Sequence, residues 1–193
     1  MVSPAKRFKH EACGQAMIET ALMLPGLLFL VFNVVNFGYF FLMAINVAAS
    51  PRSGVLYSIL GGSTPTSIDL ASPGPTTAIT SISYLTLRDM TGAIPSGGSA
   101  KVQVCTVKSG VTGTGTSQIS VCNQYNSSPA YTPAADPEAP FFVLNRVDVT
   151  YTFSPLLDQR LFNLVLLASP VCTGTGGSVT CTFHRQASMR AMN

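Results

Sequence analysis

The chain has no tryptophan, only two histidines, and charge on just 10% of its 193 residues. Such scarcity removes the parts of most catalytic schemes. Outside residues 1–14 there is one histidine, His184, and acid–base or acyl-transfer chemistry needs a positioned base. No glycine motif of the phosphate-cradling kind occurs, which excludes the commonest nucleotide signature. The five cysteines form no CxxC pair, so a zinc site lacks local ligand spacing, and we expect no metal and no cofactor. No Lys/Arg stripe follows a phosphate backbone, and we expect neither nucleic acid nor a small-molecule substrate as partner. Ordinary domains carry about 25% charged residues. A chain with 10% charged and 47% apolar residues has surface meant for something other than water.

What is present instead is an uncharged run. Residues 20–51, 32 in all, carry no ionisable group, and a bilayer core needs only about 20 in helical form. As a helix the run spans about 48 Å, so about 18 Å projects beyond a core about 30 Å thick. That projecting end needs a partner other than lipid. Lys6, Arg7 and Lys9 lie just before the run and, by the positive-inside bias, hold the N-terminus in the cytoplasm. Without residues 1–14 the chain keeps eight basic and seven acidic residues, so most of its net charge of +3 serves topology.

The run opens with GQAMIETALMLP (14–25), which places a carboxylate, Glu19, at the membrane doorway. Three processing readings compete. A cleaved secretory signal would use Val47, Ala48 and Ala49, but its apolar core should be only about 7–15 residues long. A lipoprotein signal would use Cys13, yet the residues before it are polar and the apolar run follows it. A cut on the cytoplasmic side, after Gly14, leaves the apolar helix on the mature chain and gives both Gly14 and Glu19 a use. Pro25 and Gly26 mark a kink, tolerated in a membrane helix. Asn33, Asn36 and Asn46 are expected at helix-to-helix contacts, Asn33 and Asn36 sharing a face.

The stretch GQAMIETALMLPGLLFLVFNVVNFGYFF resembles the start of TadE-like minor pilins (pseudopilins) of the tight-adherence, or Flp, type IV pilus system. The segment PRSGVLYSI resembles the Arg-x-Gly end of that family's long helix, here Arg52 and Gly54, with Pro51 a departure from its usual run of helix formers. VDVTYTFSPLL and the closing QASMR resemble its late strands; residues 60–140 match poorly. The resemblance implies a prepilin peptidase cutting between Gly14 and Gln15, with Glu19 fifth in the mature chain. It also implies partners among other pilin subunits and the pilus assembly platform.

Beyond Gly61 and Gly62 the composition turns to Ser, Thr, Gly and Pro, and residues 61–75 and 108–117 read as loops. Residues 76–90 carry Ile79, Ile82 and Leu85 at helical spacing. Val102, Val104 and Thr106 alternate with their neighbours, as do Val147, Val149, Tyr151 and Phe153; Val179, Cys181, Phe183, Ala187 and Met189 share a face. The pattern predicts an antiparallel sheet covered on one side, by the projecting half of the long helix. SPLLDQRLFNLVLLA (154–168) reads as a helix capped by Ser154, buried or else a subunit contact.

Removing the leader leaves four cysteines, Cys105, Cys122, Cys172 and Cys181, all on the outer side. Of three connectivities we favour Cys105 to Cys122 and Cys172 to Cys181, because each pair brackets a Gly/Thr-rich loop between strand-like segments. The expected class is α+β: a cytoplasmic leader over 1–14, a long apolar helix including the membrane span over 15–60, and an extracytoplasmic domain over 61–193. The expected role is a non-enzymatic pilin-like subunit of a bacterial inner membrane. The alternative is an uncleaved single-pass anchor for a binding domain.

Overall fold

A computed structural model describes residues 8–60, 70–91, 100–153, 172–173 and 180–192. One helix dominates it: α1 (Phe8–Leu60), 53 residues without interruption and so about 80 Å long. It passes through both Pro25 and Pro51. Pro51 has no N–H for the Val47 carbonyl, and the Ser50 hydroxyl donates to that oxygen instead, at 3.5 Å. The next turn is secured likewise, Ser53 Oγ donating to Ser50 O at 2.9 Å. The departure at Pro51 therefore does not end the helix.

A short helix, α2 (Ile82–Thr91), lies against the C-terminal half of α1. It starts six residues later than the spacing of Ile79, Ile82 and Leu85 predicts. Ser81 is its N-cap: the Oγ accepts from Tyr84 N at 3.2 Å and donates to Pro75 O at 2.6 Å, holding the preceding residues in turns. Ile79 is left 69% exposed.

Five antiparallel strands follow: β1 (Ala100–Thr112), β2 (Ile119–Tyr125), β3 (Phe142–Phe153), β4 (Cys172–Thr173) and β5 (Thr180–Met192), in spatial order β2-β1-β3-β5-β4. β1 runs on to Thr112, so residues 108–112, expected in a loop, are strand with a register shift between Thr106 and Val111. β3 and β5 pair along their whole length, from Phe142 opposite Met192 to Phe153 opposite Cys181. The helix expected over 154–168 lies outside the described residues, as do 61–69 of the first expected loop.

Strand periodicity sends Val102, Val104, Val147, Val149, Tyr151, Phe153 and Phe183 to one face, where they meet Met43, Val47 and Val55 of α1 and Ile82 and Met90 of α2. Each such buried side chain contributes about 1.5–3 kcal/mol. The other face is not open, contrary to the one-sided sheet expected. Residues 126–141 cross it as a roof, and beneath them Gln103, Asp148 and Thr150 are buried. Polar residues alternate with apolar ones here because they serve a second, hydrogen-bonded core.

Candidate assembly surface

The sheet fixes where α1 leaves its domain. Phe40 packs on Phe153 and Phe183 with ring centroids 5.4 and 5.2 Å apart, and Tyr39 sits 5.6 Å from Phe153. At the opposite end, Asn145 Nδ2 donates to Ser58 Oγ at 3.1 Å while its Oδ1 accepts from Val107 N at 2.9 Å, tying α1, β3 and β1 together. The domain thus grips α1 from about residue 39 to 58. The 20 residues from Glu19 to Gly38 rise about 30 Å in helical form, a bilayer core's thickness.

From Gly14 to Phe32 the helix is bare around its circumference. Met17, Ile18, Leu22, Met23, Leu24 and Leu27 are 54–77% exposed, and Leu30 and Val34 are 62% exposed. This is one helix long and apolar enough to cross a membrane. Gly14, Gln15 and Glu19 are all exposed on it, and a Cβ at Gly14 or Gly26 would meet nothing within 4 Å. Gly14, Gln15 and the Glu19 carboxylate are therefore exposed together within about one and a half helical turns. Asn33 and Asn36 lie three residues apart on the unbroken helix. Asn33 Nδ2 donates to Phe29 O of its own helix at 2.8 Å, whereas Asn36 is buried.

The cysteines are joined as Cys105 to Cys122 and Cys172 to Cys181, each pair directly opposite in its ladder. The first bond lies under the roof; the second lies in the apolar core beside α1. Among the described residues no three His, Cys, Asp or Glu side chains converge as a metal site would require.

The densest polar cluster is the one that fastens the roof. Arg146 grips Asp148 with two bonds of 2.7 Å, and His184 Nε2 lies 2.8 Å from Asp148 Oδ1. The His184 ring stacks on Tyr131 at 3.9 Å. Gln103 pairs with the Tyr131 backbone as a strand would, Nε2 donating to its carbonyl at 2.6 Å and Oε1 accepting from its amide at 2.8 Å. Farther along, Arg190 bridges Asp136 and Glu138, each at 2.9 Å. Desolvation lowers the Arg190 guanidinium, but the two carboxylates raise it by more, so its pKa stands above the ordinary value. Burial raises the phenols of Tyr125 and Tyr151, the latter further through Tyr39. Sequence reasoning missed this cluster, since its members are scattered from 103 to 190; only the polar alternation in β3 signalled it.

Comparison with family models, with curated proteins and with solved structures found no match. The function of the apolar surface is therefore read from its own residues.

Proposed function

We propose that this chain is a membrane-inserted structural subunit of the TadE-like minor pilin kind, trimmed by a prepilin peptidase between Gly14 and Gln15 and then built into a Tad/Flp-type pilus. The observation that carries this reading is the division of α1: its outer half is the spine of a disulfide-bonded domain, and its inner half is a bare apolar rod led by one carboxylate. Lys6, Arg7 and Lys9 hold the leader in the cytoplasm and send the domain across the bacterial inner membrane. The oxidising side then suits the two disulfides. The bilayer stores the rod until assembly moves it into a bundle of similar helices, where packing replaces lipid.

Glu19 sets register in this scheme. Cleavage frees an ammonium at Gln15, and a neighbouring helix displaced by about one turn brings that cation to the carboxylate. At 4 Å and an effective dielectric near 20 the contact is worth about 4 kcal/mol before desolvation, whereas an unpaired charge deep in the span costs about 2.5–3.5 kcal/mol. Pairing therefore outweighs isolation, and a helix out of register is penalised. Glu19→Gln is expected to insert and to be trimmed, yet to fall at least ten-fold, roughly 1.4 kcal/mol, in sheared pilus fractions. Recovery there at the wild-type amount would make Glu19 an interfacial acid without an assembly role.

A further inference from the structure

Between Gly14 and Leu60, α1 carries two charges of opposite sign, Glu19 and Arg52. Both are exposed, and neither belongs to the ion pairs formed among the described residues. The stretches they lead, ETALMLPGL (19–27) and RSGVLYSIL (52–60), repeat one spacing: a charge, then an apolar side chain at the fourth and eighth positions after it. Residues four apart lie on one helix face. The rows are therefore Glu19, Met23 and Leu27 in the first stretch and Arg52, Leu56 and Leu60 in the second. All are exposed, with Met23 at 73%, Leu27 at 60%, Leu56 at 47% and Leu60 at 60%. The second row lies on the helix side turned away from Val55 and Ser58, which the domain buries. It lies beyond the reach of the bilayer core, so lipid does not cover it.

Resting on the reading of the chain as a filament subunit, we propose that these rows are the two halves of one contact between copies: the Glu19 row of one chain docks on the Arg52 row of another, carboxylate to guanidinium and apolar to apolar. The 33-residue separation sets the stagger at about 50 Å. Two copies side by side in one bilayer hold their charges at equal depths and cannot make this contact. A copy lifted by that stagger can. At about 100° per residue the rows stand about 60° apart around the axis, so the displacement includes a rotation. Such a screw-related, heterologous contact propagates as an open helical array instead of closing as a dimer. Arginine suits the position because its planar fork takes a carboxylate by two parallel bonds. The Gln15 ammonium reaches Glu19 from a different neighbour, displaced by one turn.

The test uses two differently tagged full-length copies expressed together, one Met23→Cys and the other Leu56→Cys, oxidised after pili are sheared. The mixed-tag disulfide is expected in the filament and absent from membranes, while a Met23→Cys and Ile45→Cys pair, offset by 22 residues, gives none. Arg52→Glu is expected to lower incorporation at least ten-fold, and Arg52→Lys, which keeps the cation that faces Glu19, to stay within two-fold of wild type. Filaments that contain the chain but no Met23–Leu56 link overturn the stagger and leave the assembly role standing. Absence of the wild-type chain from filaments overturns both.

Discussion

Asp148 shows how one residue can organise a sheet face. Its side chain is fully buried and meets both Arg146 and His184, so side chains of two neighbouring strands share one carboxyl group. Removing it leaves a guanidinium only 14% exposed without its acceptor. Breaking such a buried pair typically costs about 3–5 kcal/mol. Because Arg146 keeps some access to water and its bond to Thr132 O, we expect the lower end, about 3 kcal/mol, for Asp148→Ala. Denaturant unfolding of the detergent-solubilised chain measures this. A change below about 1 kcal/mol, the size of an exposed pair, would mean that the roof is held by Gln103 and Arg190 alone.

At the scale of elements, the fit of α2 on α1 depends on Gly54. A Cβ there would sit 2.2 Å from Thr86 Oγ1, which is itself held by the Ile82 carbonyl at 2.7 Å. Alanine gains about 1 kcal/mol in helix propensity, but overpacking costs about 1–3 kcal/mol, so Gly54→Ala is expected to lose about 1 kcal/mol net. Adding Thr86→Ala removes the obstructing hydroxyl and should restore wild-type stability or exceed it. No recovery in the double variant would show that the helices are not in contact at this point.

The disulfides belong to the same scale, since each staples a ladder. Their sequence separations of 17 and 9 correspond to about 3 and about 2.5 kcal/mol of loop-closure stabilisation. Paired Cys→Ser variants should lose those amounts, the 105/122 pair the more. Peptide mapping of exported protein should find all four cysteines bonded as 105 to 122 and 172 to 181. Free thiols at those positions would place the domain on the reducing side of the membrane.

Across the whole molecule, the readable parts of the fold were those governed by one local rule. The uncharged run announced α1, and period-two patterns marked β1, β3 and β5. Cysteines bracketing turn-rich loops pointed to the joined pairs. Parts that depend on distant partners were not readable. β2, ISVCNQY, is an edge strand whose side chains are mostly half-exposed, so its pattern is blurred. The roof is polar chain whose anchoring residues, Gln103, Arg146 and Arg190, lie on three different strands. The start of α2 moved because Ser81, a capping hydroxyl, outcompeted the apolar spacing before it. Of the candidate surface, Gly14, Gln15 and Glu19 were legible as a motif, while Arg52 gained meaning only when its row was found bare on the far side of the domain's grip.

The reading of the molecule as a trimmed, assembling subunit meets its most direct test at the N-terminus. A peptidase must bring its catalytic groups close to the backbone at Gly14, where a long side chain would obstruct the approach, so Gly14→Leu should accumulate untrimmed in the membrane. Mass spectrometry of the wild-type protein extracted from membranes is the deciding measurement. A mature chain beginning at Gln15 is the predicted result. Retention of residues 1–14 would make the protein a fixed single-pass anchor, and a start near Ser50 would make it a secreted domain; either contradicts the reading proposed.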